Sequence, residues 1–332
     1  MTGVISFINT TFTEQIGFHP MPSPSSSLDS SPPARFIYLD DRILPWEDAR
    51  VHVASVGFKF GAGVFEGVRG YWNPDKKGLF LLQLEEHLER LEFSQRFMRF
   101  DEILPAPFVA EKVLELLRAN AFEENIHIMI TVFVKGYGSP ATTGPIGLSI
   151  VASPRKDIPW TKTGCTAHIS SWQRVPDSAM PMRVKCNANY QNGRLATMQA
   201  QADGYDTAIL LNARGKVAEG PGMCMFMVRN GKAITPPITS DILESITRST
   251  VIRLCEGLGI EVVEREIDRS ELVAADEAFF CGTAWEITPL ISVDRLAIGS
   301  GEVGPVVRRL QERFFSITGA RSEDAMEWLT GV

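Results

Sequence analysis

Cysteine is scarce and unpatterned in this chain of 332 residues. The five present, Cys165, Cys186, Cys224, Cys255 and Cys281, are an odd number with no C-x-x-C spacing. That argues against a disulfide scaffold or a cysteine zinc site, and reduced, buried thiols in a cytoplasmic protein are expected. H-E-x-x-H is absent too, and no metal site is expected. No apolar run reaches the ~18 residues of a membrane helix, so no membrane partner is expected. Basic residues are outnumbered, 33 Lys and Arg against 40 Asp and Glu, for a net charge of −7. A nucleic-acid partner would call for a basic face, so none is expected. One local basic pocket would still suffice for a small anion.

The first 34 residues contain no Lys or Arg, which excludes a secretory signal with a basic start and an arginine-rich transit peptide. With the Pro- and Ser-rich stretch 20–33, they read as a disordered tail, residues 1–34, outside the fold. Neither a Walker A loop nor a G-x-S-x-G elbow occurs. Gly61-Ala-Gly63-Val-Phe-Glu-Gly67 is one residue too long for a dinucleotide fingerprint, and no βαβ unit surrounds it.

What is present suits a soluble globular protein, 44% hydrophobic and 22% charged, with roughly two domains at ~150 residues each. Strands are predicted at 36–39, 79–82, 126–134 and 148–152. Two helices are predicted among them: one carries Leu84, Leu88 and Leu91 on a single face, and the other covers 107–120. Further on, strands are predicted at 166–172, 207–211, 216–218, 223–229, 233–235, 261–264 and 277–281. Helices are expected at 189–203, from 245 to about 257, at 270–275 and at 306–317. Gly204 stops one helix, and Asn230-Gly231 marks a hairpin. The class is α+β, and the crossing strands of the second half suggest a barrel-like sheet.

Taken singly, the polar candidates are weak. The helix start at Ser245-Ile246-Thr247 offers free N–H groups and a hydroxyl for an anion, although a plain cap is the commoner meaning. Gly282-Thr283, at a strand end, is a similar signal. Arg90 on its helix reads as a solvated charge, Lys185 as a surface lysine, and Glu219, flanked by glycines, as a turn residue.

Together these signals resemble a known family. From about residue 36 to 320 the chain is similar to fold-type IV pyridoxal-phosphate enzymes, class IV aminotransferases, and most of all to their branched-chain amino acid branch. The motifs are Val51–Arg69, His87-Leu-Glu-Arg-Leu91, Lys185-Cys-Asn-Ala-Asn-Tyr190, Ala218-Glu-Gly-Pro-Gly222, Ile246-Thr-Arg248 and Cys281–Pro289. The resemblance implies a small α+β domain over 35–154, a linker over 155–163 and a larger, barrel-like cofactor domain over 164–332. It makes Lys185 the residue that bonds to pyridoxal 5'-phosphate and shuttles the proton. Glu219 would pair with the pyridine nitrogen and Tyr190 with the phenolic oxygen. Arg90, Ile246, Thr247 and Thr283 would hold the phosphate.

For the substrate, the resemblance points to Phe60, Phe65, Arg69, His127, Met129, Gly282 and Ala284. His127 and Met129 stand where the branch has a tyrosine and an arginine. The arginine reads a side-chain carboxylate, and methionine cannot do so. Glutamate or 2-oxoglutarate would then bind differently, through Arg69, or not be the partner. The implied activity is amino transfer between an apolar amino acid and a 2-oxo acid, in a homodimer. An (R)-selective amine transaminase, or a lyase of the same fold, is the alternative.

Overall fold

Strict alternation builds the middle of the first sheet. The structure, a computed structural model, describes residues 33–332. The tail expected over 1–34 lies outside the described residues except for its last two, of which Ala34 is buried. Strands β1 (Phe36–Leu39), β2 (Arg42–Pro45), β3 (Gly63–Asn73), β4 (Gly78–Leu82), β5 (Ile126–Val134) and β6 (Ile146–Pro154) pair antiparallel in the order β4-β3-β5-β6-β1-β2. On β5 every second residue, Ile126, Ile128, Ile130, Val132 and Val134, is buried. At about 1.5–3 kcal/mol per buried side chain, this row is a major part of the core. The helix α1 (Val56–Phe60) is a single turn. Helices α2 (Leu84–Phe97) and α3 (Ala106–Asn120) contribute Leu84, Leu88, Leu91, Val109, Val113 and Leu117 to the same core. The other face of β5, with His127 and Met129, is left for the cavity described below.

Strand β3 was not foreseen. Its glycines and its charges, Glu66 and Arg69, hide any period, yet all but one of its eleven residues are buried. Being central, it is covered on both faces, and the charges are tolerated because each has a partner.

The second sheet comprises β7 (Cys165–Ile169), β8 (Thr207–Leu211), β9 (Val217–Glu219), β10 (Cys224–Arg229), β11 (Lys232–Thr235), β12 (Val262–Glu264), β13 (Glu277–Gly282) and β14 (Glu286–Val293). The short β15 (Leu296–Ala297) lies beside β14. The order is β12-β11-β10-β13-β14-β7-β8-β9, with parallel pairing at β11/β12, β14/β7 and β7/β8. The sheet curls into a half-barrel and stops short of closure, because β12 and β9 end the order. Strand β14 was also missed, since Pro289 and the polar Glu286 and Thr288 break its pattern. Helices α4 (Trp160–Thr163), α5 (Tyr190–Ala202), α6 (Ile246–Gly257), α7 (Arg269–Val273) and α8 (Pro305–Thr318) complete the chain.

Two features differ from the expected division of the chain. Part of the stretch expected as a linker, 155–163, packs against the body: Ile158 and Thr161 are buried, and Trp160 stacks on Trp285 at 5.5 Å. The last strand, Leu329–Gly331, leaves the stretch assigned to the larger domain and pairs with β4 in the first sheet.

The Lys185 segment is stitched to the first sheet. Val64 bridges Cys186, and the Phe65 N–H donates to the Lys185 carbonyl at 2.9 Å. Helix α5, which follows Lys185, lies close against the loop after Glu219. A Cβ on Gly193 would sit 2.3 Å from the Pro221 carbonyl oxygen, so only glycine permits that approach.

Candidate active site

A cavity of about 170 Å³ opens where the two sheets meet, lined by residues from both. Lys185 and Tyr190 enter it from one side. Lys185 follows a loop and Tyr190 opens α5, and this turn folds the amine back so that Nζ donates to the Tyr190 hydroxyl at 2.5 Å. The Phe65 ring stands edge-on to the Tyr190 ring at 4.7 Å, and the Lys185 ammonium lies over both rings. Aromatic faces favour a cation there.

Glu219 ends β9 and is buried. Its Oε1 accepts from Arg174 at 2.7 Å, and its Oε2 accepts from the Leu243 N–H at 3.3 Å. Burial raises its carboxyl above the ordinary range, with Arg174 pulling the other way. Such a carboxylate is a better proton acceptor than one in water. Arg174 is a site residue that the sequence did not disclose. It lies in a loop without periodicity, 45 positions from its partner.

A third group is built for an anion. At the start of α6 the Ser245 side chain caps the Arg248 N–H at 3.2 Å, which leaves the Ile246 and Thr247 N–H groups for a ligand. The Thr247 and Thr283 hydroxyl oxygens are 3.5 Å apart. Arg90 lines the same cavity, and its Nη1 donates to the Glu244 carbonyl at 2.7 Å. It is no solvated helix charge: Glu66 takes Nε at 2.7 Å and Nη2 at 2.8 Å. Burial would raise the Glu66 carboxyl, but Arg90 and His87 outweigh it and hold it at about 2. Glu66 and His87 stood inside quoted motifs without an assigned role. Nothing in their spacing shows that β3 sets one against the other.

Of the residues expected beside a substrate, Phe65, His127, Met129, Gly282 and Ala284 line the cavity. Gly67 makes room for His127: a Cβ on Gly67 would sit 2.9 Å from His127 Nε2. Burial, then Arg155, Arg69 and Lys185, lower the imidazole to about 4, so it is neutral at neutral pH.

Two residues expected beside a substrate lie elsewhere. Phe60, at the end of α1, is 45% exposed with the Lys59 ammonium over its ring. Arg69 is paired with His127 across β3 and β5, but it is fully buried and does not line the cavity. Its charge is taken by Glu286 Oε1 at 3.1 Å, which also accepts from the Tyr71 hydroxyl at 3.0 Å. Glu286 has a left-handed backbone, φ 53°, uncommon for a non-glycine residue. The two bonds anchor it just past the Thr283-Ala284 turn.

One chain thus gathers an amine beside a phenol, a buried carboxylate and an anion cup in one cavity. Its sequence matches the family model "Amino-transferase class IV" over residues 63–293. The chain belongs to the class IV aminotransferases. Within them it falls in the branched-chain amino acid aminotransferase family. It is 38% identical to a probable branched-chain-amino-acid aminotransferase of Aquifex aeolicus, over 90% of this chain and 96% of that one. The crystal structure of the branched-chain amino acid aminotransferase of Thermobaculum terrenum in its PLP form matches with a TM-score of 0.86 and 40% identity, covering 91% of this chain and 99% of that one. The branched-chain aminotransferase of Thermoproteus uzoniensis with norvaline matches with a TM-score of 0.86 and 39% identity, covering 90% and 99%.

The aminotransferase cavity fits pyridoxal phosphate on its own chemistry. It offers a primary amine, a carboxylate for a pyridine nitrogen and a set of N–H and hydroxyl donors for a phosphate.

Proposed function

We propose that this protein moves amino groups between a branched-chain or other apolar amino acid and a 2-oxo acid, using pyridoxal phosphate. The observation that carries the reading is the Lys185 amine, bonded to Tyr190, in the same cavity as the Arg174-backed Glu219 carboxylate. The bound cofactor supplies an electron sink for the charge left when a proton leaves the substrate Cα. Lys185 Nζ takes that proton and returns it elsewhere, as a general base and then a general acid. Tyr190 directs the amine through its hydroxyl. Glu219 holds a proton at the pyridine nitrogen, and Arg174 keeps Glu219 in place. Arg90, the Ile246 and Thr247 N–H groups and the Thr247 and Thr283 hydroxyls bind the phosphate.

Phe65, Met129 and Ala284 give the substrate side an apolar character that suits a hydrocarbon side chain, and neutral His127 adds one polar contact. With Arg69 committed to Glu286 and Met129 on the wall, no lining group of this side, among the described residues, is a receptor for a side-chain carboxylate. The test is a donor panel of L-leucine, L-glutamate, D-alanine and (R)-1-phenylethylamine. L-Leucine is expected to give the highest kcat/KM. L-Glutamate as the best donor would contradict the reading of His127 and Met129. Preference for (R)-1-phenylethylamine would favour an amine transaminase, and pyruvate released from one substrate without an acceptor would favour a lyase.

The protein further works as a homodimer, and a second copy covers the face around α1. Val53 and Phe58 are each 67% exposed, and Tyr137, in ring contact with His52, is 64% exposed. An apolar patch of this kind marks a contact surface. Phe60 belongs to it, which places its ring near a partner. Light scattering at micromolar concentration should give twice the chain mass; a monomer that transaminates at full rate would refute the dimer. Five unpaired, buried cysteines suit a cytoplasmic setting.

A further inference from the structure

The anion cup is backed by a buried acid–imidazole pair that its direct contacts do not require. Glu66 sits on β3 with no exposure, where an unpaired carboxylate is strongly disfavoured. Besides Arg90, it bonds His87 Nδ1 at 2.7 Å. His87 and Arg90 are three residues apart on α2, so both reach the same carboxylate from one helix face. The other nitrogen, His87 Nε2, lies 3.5 Å from Thr283 Oγ1.

Proton counting makes this arrangement informative. Glu66 is held ionised and only accepts, so His87 Nδ1 carries a proton. In a neutral ring Nε2 is then an acceptor. The Thr283 hydroxyl has one proton, and if it turns to Nε2 it meets an anion in the cup with lone pairs alone. If Nε2 is protonated as well, it donates to Thr283 Oγ1 and frees the hydroxyl proton for the anion.

Charge counting points the same way. Arg90 and Glu66 cancel, so their pair carries no net charge. A phosphate monoester brings roughly −1.5 to −2 at neutral pH. The charged groups acting on His87 are Glu66 from β3, Arg90 from its own helix and Lys185 ahead of α5. His127, on β5, is neutral. Burial first, then Arg90 and Lys185, keep the ligand-free imidazole below its ordinary value against the pull of Glu66. A phosphate adds a second negative neighbour.

We propose that His87 is a positioning residue for the phosphate: it takes up one proton as the phosphomonoester seats. As an imidazolium between Glu66 and Thr283, it turns the Thr283 hydroxyl toward the anion. The inference rests on reading the cavity as the cofactor site. The test is ¹⁵N NMR of histidine-labelled holoenzyme from pH 6 to 9. His87, one of five histidines, is assigned through His87→Gln, or through the shift caused by Thr283→Val if His87→Gln does not fold. Both His87 nitrogens should be protonated at pH 7.5 in the holoenzyme, and only Nδ1 in protein stripped of cofactor. Cofactor release from the holoenzyme should speed up about tenfold or more as pH rises through the His87 titration. A ring that stays neutral in coloured holoenzyme down to pH 6 overturns the proposal and leaves the cofactor site standing. Protein that binds no cofactor at any pH overturns both.

Discussion

Replacing Lys185 with alanine should abolish transamination, with kcat reduced by about 10⁴-fold or more, in line with the upper range for a positioned acid–base group. Among the described residues no other lysine lines the cavity. Tyr190, its hydrogen-bond partner, cannot bond to the cofactor in its place, and Arg90 is held by Glu66. Lys185→Arg should be as inactive, because it keeps the charge and loses the nucleophile. The fold should survive both changes, since the segment is pinned by the Phe65–Lys185 backbone bond and the Val64–Cys186 bridge, which no side chain supplies. Circular dichroism melts within a few degrees of the parent, together with lost turnover, would agree. A variant that transaminates at the parental rate would refute the role.

Glu219→Gln should lower kcat by about 10²–10³-fold, the usual cost of removing one preorganised electrostatic partner. The same substitution should cost about 3 kcal/mol or more of stability, because it leaves the Arg174 guanidinium buried without its counter-charge. Both side chains are less than a tenth exposed, so solvent screens the pair little. Burial raises the Glu219 carboxyl by more than Arg174 lowers it, and a buried ion pair is often replaced by apolar side chains without loss of stability. Adding Arg174→Met to Glu219→Gln should therefore recover much of the stability and none of the activity. Urea unfolding and steady-state rates on the two variants check this. A double variant that is no more stable than Glu219→Gln would mean that Arg174 acts as something other than a counter-ion.

The legible parts of the molecule were those where local chemistry and the fold agree. The leucine stripe on α2, the alternating β5 and the Ser245 cap each carry their meaning within about ten residues. That Lys185, Glu219 and Arg90 line one cavity was foreshadowed only by a resemblance, because they are unremarkable charges until the fold brings α2, β9 and the segment before α5 together. What stayed hidden was long-range. Strand β3 looks like a glycine loop because its charges are met by residues far along the chain: Arg69 by Glu286, 217 positions away, and Glu66 by Arg90, with a hydrogen bond to His87. Arg174 has no local pattern at all. Arg69 was expected beside the substrate by its place in a motif. The strand period does put it on the same face as Phe65 and Gly67, and burial under His127 takes it out of reach.

The central claim, that Lys185 is the residue that holds the cofactor, is tested most directly by borohydride reduction of the purified holoenzyme followed by peptide mapping. Reduction fixes the pyridoxyl group to whichever lysine carries it. The group should be found on the peptide containing Lys185-Cys-Asn-Ala-Asn-Tyr190, in near-stoichiometric amount. Its recovery on another lysine, or from no peptide in a protein that still transaminates, would contradict the account.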